Sequence, residues 1–347
     1  MKTKILKINS KKPEKKIIKN VARIMANGGI VAFPTETVYG LGANALDAKS
    51  VRKIFKAKGR PSDDPLIVHI SEKSEMYELA KEVPEKAEKL IKKFWPGPLT
   101  VVLKKKKIVP NITTGNLDTV AIRMPKHLVA IALIKELGKP IAAPSANSFG
   151  NPSPTKAQHV LEDLEGKIPL ILDSGQTKIG VESTVMDFSQ KKPMLLRPGK
   201  VTLEQIEKEI GKIKVHSLVK KEFRKNHLKE AAKSPGLKYR HYAPKAEIII
   251  VQGTEKKTAA KIQELLKKFS AKKIGILSFS GKTYNKNTKK IGSTGEKIAK
   301  NLFKSFREFD KTKTELIIAE SIPEKEIGLA VMNRLKKAAA KIIKAGK

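Results

Sequence analysis

Lys58 and Arg60 stand two residues apart in KGRPSDDPLIVHI (58–70), with Gly59 and Pro61 restraining the backbone around them. Two cations on a stiffened loop suit a polyphosphate, because both charges are in place before the ligand arrives. Read alone, the segment is better explained as a solvated helix C-terminus, where the helix dipole favours cations. AIRMP (121–125) sets Arg123 at the end of an apolar run. An arginine there needs an anionic partner, either an internal carboxylate or a bound one. PTETVYGLG (34–42) and PSANSFGNPSPT (144–155) supply hydroxyl and amide groups directly after short apolar runs. GVESTV (180–185) adds Ser183, and LRPG (196–199) adds Arg197. Each segment alone is a polar loop. Together they form a hydroxyl-rich, cation-rich set without a cysteine, a metal cage or a nucleophile–base pair. Such a set binds and aligns anions, which suits adenylyl or phosphoryl transfer better than acyl-enzyme hydrolysis.

These loops must be held at strand ends, where α/β folds place their ligands. The first two hundred residues alternate helix-like and strand-like segments. Helices are expected over 14–27, 48–57, 84–94 and 126–137. Strands are expected over 30–33, 66–70, 99–103, 119–124, 140–144, 168–173 and 183–188. The pattern predicts an α/β domain with a twisted mixed sheet over 12–205. Residues 206–244 break the rhythm with a lysine-rich stretch ending in SPGLKYRHYAP (234–244), which reads as an interdomain linker. Residues 245–347 then read βαβαβα, with strands over 247–251, 273–279 and 315–320 and helices near 255–269, 295–309 and 326–344. That pattern predicts a small Rossmann-like parallel domain.

Composition limits the partners. At 347 residues, and roughly 150 per domain, two domains are expected. The net charge of +38 is spread along the chain and forms no tail. A positive surface attracts polyanions, yet most of these lysines read as surface solvation, and charge alone identifies no partner. The absence of cysteine excludes disulfides, thiolate zinc sites and a cysteine nucleophile, and it fits a reducing compartment. MKTKILKINSKK lacks the apolar core of a signal peptide. No apolar run approaches the ~18–20 residues that span a bilayer. A soluble, cytoplasmic protein without a membrane partner is expected. Two glycine motifs are set aside. GKT at 281–283 has Ile276 where a P-loop needs glycine, and GLGANA at 40–45 begins too far beyond the strand ending at Phe33 for a dinucleotide fingerprint. The six histidines show no metal-ligand spacing.

In order, PTETVYGLG, KGRP with PLIVHI, FWPGPLT (94–100), AIRMP, PSAN with SPT, GVESTV and RPG resemble the motif series of the YrdC-type threonylcarbamoyl-AMP synthases. SPGLKYRHYAP is similar to the linker of the two-domain members, and AVMNRLKKAA (330–339) to the end of their smaller C-terminal domain. The resemblance is strong over 12–205 and the end of the linker, and weaker beyond. It implies an enzyme that condenses L-threonine, bicarbonate and ATP, with Mg2+, to threonylcarbamoyl-AMP and pyrophosphate. It also implies that a separate transferase, in a KEOPS-type assembly, passes the product to the adenosine beside the anticodon of ANN-reading tRNAs, with at most weak tRNA contact here. By motif, Thr35, His69, Arg123, Ala143 and Ser183 resemble the threonine pocket, with Arg123 on the carboxylate. Lys58, Arg60, Ser62, Thr119, Ser145, Asn147, Ser153 and Arg197 resemble the nucleotide side, and His241 and Tyr242 the linker residues that close over it. Lys58 and Arg60 would neutralise the leaving pyrophosphate as the catalytic pair. Phe149, Ser174 and Leu237 depart from the family pattern. Two other readings stand beside this one. An RNA-binding YrdC-like module without catalysis predicts steeply salt-dependent RNA affinity and no need for threonine. A YrdC-type enzyme with another carbamoyl acceptor usually carries zinc-finger modules, against which the missing cysteines count.

Overall fold

The computed structural model describes residues 2–220 and 242–346. Lys15–Ala26 is helical because Ile18, Val21, Ala22 and Met25 fall three and four apart and form one buried stripe. It stops where Gly28, at φ +80°, donates its N–H to the Met25 carbonyl at 3.0 Å. Among the described residues the first domain has eleven strands. They are β1 (Lys4–Lys7), β2 (Val31–Phe33), β3 (Gly40–Asn44), β4 (Ile67–His69), β5 (Leu99–Lys104), β6 (Thr119–Arg123), β7 (Ile141–Ala142), β8 (Leu170–Asp173), β9 (Thr184–Asp187), β10 (Met194–Arg197) and β11 (Lys214–Val215). They form one mixed sheet in the order β1-β8-β2-β3-β7-β4-β6-β5-β9-β10-β11. Lys15–Ala26 and Leu128–Leu137 cover one face, packing on Val31, Phe33, Ile141 and Leu172. Ala48–Lys58, Glu85–Phe94, Ala157–Leu164 and Leu203–Ile210 cover the other.

The register sets the site. β4 and β6 run parallel with His69 opposite Arg123, so two side chains 54 positions apart in sequence share one sheet end. β3 occupies the GLGAN segment and pairs antiparallel with β2. Its Gly42 lies against Phe33, where an added Cβ would come within 2.7 Å of the ring. The glycines of that segment therefore serve packing rather than a phosphate turn.

The second domain has five parallel strands, β12 (Glu247–Gln252), β13 (Ile274–Ser278), β14 (Thr288–Lys290), β15 (Leu316–Glu320) and β16 (Lys341–Lys344), in the order β14-β13-β15-β12-β16. Glu255–Lys268 packs on Ile249, Val251, Ile276 and Ile318. Gly295–Lys311 and Ile327–Ala338 pack on Ile248, Ile250, Leu277 and Ala319, the opposite face. The helix expected over 326–344 ends at Ala338, because Ala339 turns extended at ψ 143° and Lys341–Lys344 join the sheet edge. Past the expected boundary at 205, Ile206 and Ile210 belong to the first domain's core, and β11 extends its sheet. No helix of the described residues is long and apolar enough to cross a membrane.

Candidate active site

A cavity of about 50 Å³ opens at the sheet end that carries Arg123. Thr35, His69, Arg123, Ala143 and Ser183 all line it and are all buried. Arg123 closes β6, where its guanidinium is held on three sides. Nη2 lies 2.7 Å from Glu36 Oε1, Nη1 donates to Thr37 Oγ1 at 3.0 Å, and Nε donates to the Gly97 carbonyl at 3.3 Å. The anionic partner demanded by an arginine in an apolar strand is thus internal. Thr35 Oγ1 donates to the Val38 carbonyl at 2.6 Å and fixes the 35–38 turn. His69 Nδ1 lies 3.2 Å from the Ile67 carbonyl. Burial, with Arg123 beside it, pushes the His69 imidazole down to about 3, so it is neutral at ordinary pH.

Ser183 stands just before β9 and Arg197 ends β10, which pairs antiparallel with β9. Arg197 donates to the Ser183 carbonyl at 3.0 Å and to its hydroxyl at 3.1 Å, and that hydroxyl is 2.8 Å from Thr100 Oγ1. Arg60, Ser145, Arg197 and Tyr242 also line the cavity. Arg60 is fixed by Asp64 at 2.8 Å and by the Pro65 carbonyl at 3.1 Å. Lys58 points under the polar loop, its Nζ donating to the carbonyls of Ser145, at 2.5 Å, and Asn147. Burial, then Arg60, pushes its ammonium well below the usual lysine range. Asn147 anchors the same loop through the Ser148 and Asn151 carbonyls, at 2.8 and 3.0 Å. Ser153 donates to Glu182.

Lys58, Asn147 and Ser153 grip or form the adjoining loop without lining the cavity, and two further expected residues lie away from it. Ser62 is exposed on its loop and Thr119 is buried at the far end of β6, about 13 Å from Arg123 at the usual strand rise; neither lines the cavity. His241 and Leu237 lie outside the described residues. Phe149 donates its N–H to the Lys58 carbonyl at 2.9 Å, so the backbone serves at that departure. Ser174 Oγ lies 3.4 Å from His127 Nε2.

Two carboxylates not expected from the motifs complete the arrangement. Glu36 orients Arg123, and Glu182 accepts from Ser153 and from Arg334 Nε, the latter at 2.8 Å. Burial opposes the charge on Glu182, yet Arg334 and Arg197 hold its carboxyl below the usual range. Both glutamates stand inside motifs quoted above, where acids amid buried cations were the available signal. Arg334 carried a signal too: it continues the stripe Ile327, Val331, Ala338 on an apolar helix face. Among the described residues no group of three His, Cys, Asp or Glu is placed to hold a metal ion.

Fold and site together define a two-domain α/β protein whose cavity gathers buried arginines at strand ends. A family model described as Telomere recombination matches residues 23–199, and one described as Threonylcarbamoyl-AMP synthase, C-terminal domain matches 201–340. The threonylcarbamoyl-AMP synthase of Pyrococcus abyssi is 54% identical over 330 residues, 94% of this chain and 95% of that protein. That of Bacillus subtilis is 48% identical over 329 residues, 93% and 92% of the two. The crystal structure of P. abyssi Sua5 complexed with L-threonine matches with a TM-score of 0.93 at 52% identity, covering 99% of each chain. This chain belongs to the two-domain threonylcarbamoyl-AMP synthase family.

Proposed function

We propose that this protein condenses L-threonine, bicarbonate or CO2, and ATP to threonylcarbamoyl-AMP and pyrophosphate. The observation that carries the reading is Arg123, buried beside His69, Ala143 and Ser183 in a cavity that Arg60 and Arg197 also line. The P. abyssi relative that matches along its whole length is described as bound to L-threonine. In this reading the substrate carboxylate meets Arg123, which Glu36 and Thr37 already orient. The threonine amine adds to CO2 and loses a proton, giving a carbamate. A carbamate oxygen then attacks the α-phosphorus, and the bond to the departing pyrophosphate breaks. Because the carbamate is already an anion, the step needs alignment and charge stabilisation more than a general base. Arg60 and Arg197 face the cavity as fixed cations for the phosphates. Lys58 acts on the same loop by gripping the carbonyls of Ser145 and Asn147, which places Ser145, Asn147 and Ser153. The nearby carboxylates are each engaged by a cation, Glu36 by Arg123, Asp64 by Arg60 and Glu182 by Arg334. Mg2+ therefore enters as part of the MgATP substrate.

A space of about 50 Å³ holds a few waters and no nucleotide. Tyr242, one wall of it, moves aside for substrate and closes over it afterwards, with His241 next to it in sequence. In the same reading the catalytic domain takes in β1 and β11 and so runs beyond the expected 12–205, the linker lies between β11 and residue 244, and the second domain fills 245–347. Handover to a KEOPS-type transferase and tRNA modification belong to it too.

The test measures pyrophosphate release with threonine and bicarbonate each present or omitted. Turnover that needs both is expected, and Arg123→Ala is expected to lower kcat/KM for threonine roughly 10–100-fold, the worth of a charge-assisted contact. No turnover, with salt-sensitive RNA binding intact, would instead favour the RNA-binding module.

A further inference from the structure

Two arginines of the second domain reach into the first and are as buried as the cavity's own cations. Arg334, on Ile327–Ala338, is fully buried. Its Nε donates to Glu182 Oε2 at 2.8 Å and its Nη1 to the Pro198 carbonyl at 2.9 Å. Glu182 directly precedes Ser183, and Pro198 directly follows Arg197. One guanidinium therefore pins both chain segments that bring the Ser183–Arg197 pair together. Its centre also lies 5.5 Å from the Tyr242 ring centroid, and Tyr242 stacks on Phe303 of the second domain at 5.4 Å.

Arg307, on Gly295–Lys311, grips the other loop. Its Nη2 donates to the Pro152 carbonyl at 2.5 Å and to Asp163 Oδ2 at 2.7 Å. Asp163 in turn accepts from the Ser148 N–H at 3.2 Å and from Asn151 Nδ2 at 3.0 Å. Ser148, Asn151 and Pro152 belong to the loop that carries Asn147 and Ser153, and Asp163 ties that loop to Ala157–Leu164. Between the two grips, Val181 of GVESTV is packed into the second domain's own core.

Buried ion pairs are a poor way to glue two domains, because desolvation cancels much of the attraction and apolar side chains would hold as well. What they supply is fixed geometry, since a buried guanidinium must satisfy its donors in one arrangement. Here Glu182, Pro198 and Pro152 belong to loops that line the cavity or adjoin it, and Asp163, on Ala157–Leu164, holds the Ser148–Asn151 part of one of them. We propose that Arg307 and Arg334 are positioning residues through which the second domain sets the shape of the active site. Arg307 sets the 145–153 loop, on the nucleotide side, and Arg334 sets the Ser183–Arg197 pair. The second domain is thus a template for catalytic loops. The nucleotide and threonine labels rest on the reaction proposed above.

The test uses the full chain with Arg307→Gln and Arg334→Gln, and with lysine at each position where the glutamine protein does not fold. Amide hydrogen exchange comes first, since it reads the clamp apart from the reaction. Faster exchange confined to 145–155 is expected for Arg307→Gln, and faster exchange confined to 179–199 for Arg334→Gln. Unchanged or uniformly faster exchange overturns the proposal. Steady-state kinetics come second. Arg307→Gln is expected to raise KM for ATP about tenfold with KM for threonine within about twofold, and Arg334→Gln to raise both about tenfold, because Ser183 stands on the threonine side and Arg197 on the nucleotide side, each a loss of the size of one hydrogen bond. A merely structural loss reduces the active fraction, so kcat falls and both KM values stay; that result also overturns it. A wild-type chain without turnover would remove the reaction assignment and leave the exchange experiment to decide the clamp.

Discussion

At the scale of single residues, His69 shows how the site sets charge by burial. Its ring packs edge-on against Phe33, with centroids 6.3 Å apart, and β4 pairing places it opposite Arg123. Both features oppose protonation, and together they move its pKa from 6.5 down to about 3. The unfolded chain takes up this proton near 6.5, whereas the folded chain refuses it until about 3. Stability from the neutral ring is therefore complete above pH 6.5 and drains as pH falls from there towards 3. The drain is at most about 1.4 kcal/mol for each pH unit. His69→Gln is expected to flatten the acid limb of unfolding stability inside that window, read from urea unfolding at stepped pH. Identical acid limbs in the two proteins would show that another group carries the proton uptake. The same argument removes His69 as an acid at neutral pH and leaves it a neutral polar group on the cavity wall.

At the scale of elements, much of the architecture was legible because its period was clear. The stripe of Lys15–Ala26 and the runs that became β5, β6 and β12 fell where alternation and composition put them. The failures have physical causes. β1, KILK, is exposed throughout, so no apolar alternation marks it, and its place is set by backbone pairing with β8. β16, KIIK, continues the amphipathic pattern of the helix before it, and its two isoleucines pack into the cores on opposite faces of the sheet, as only a strand allows. Motifs pointed to Thr35, His69, Arg123, Ala143 and Ser183, which line the cavity, while Glu36 and Glu182 became visible only as partners of buried arginines. Gly180 is where an element's position can be tested. It has φ +85°, and a Cβ there would lie 2.5 Å from Lys300 Cα and 2.6 Å from the Ala299 carbonyl oxygen. Both are backbone atoms of Gly295–Lys311, which cannot yield without the sheet beneath it. Gly180→Ala is expected to push the 179–183 loop off that helix, destabilise the protein by about 1–3 kcal/mol and lower turnover, because Ser183 rides on the loop. Calorimetric unfolding alongside the pyrophosphate assay measures both, and a variant unaltered in either respect would mean that the contact is not tight.

At the scale of the whole molecule, charge is the largest imbalance. Lysine and arginine number 72 against 34 acids, so more than half of the cations have no acid to match them even if every acid is paired. Exposed pairs such as Lys89–Glu85 and Lys135–Glu72 contribute little each. Of the pairs that join the domains, Arg307–Asp163 and Arg334–Glu182 are buried and therefore weakly screened, whereas Lys200–Glu296 and Lys311–Glu162 are more open to solvent. What salt chiefly acts on is the mutual repulsion of surface lysines, which opposes the compact state. At an ionic strength of 0.1 M that repulsion is cut off beyond about 10 Å. Adding sodium chloride from low to moderate concentration is therefore expected to raise the thermal midpoint, where a protein held together by surface ion pairs would lose stability. The same screening weakens attraction of the polyanionic nucleotide, so KM for ATP should rise over the salt range in which the midpoint rises. Scanning calorimetry and initial rates across one salt series test both trends together. A midpoint that falls with salt would place the surface ion pairs, rather than lysine repulsion, in control of stability.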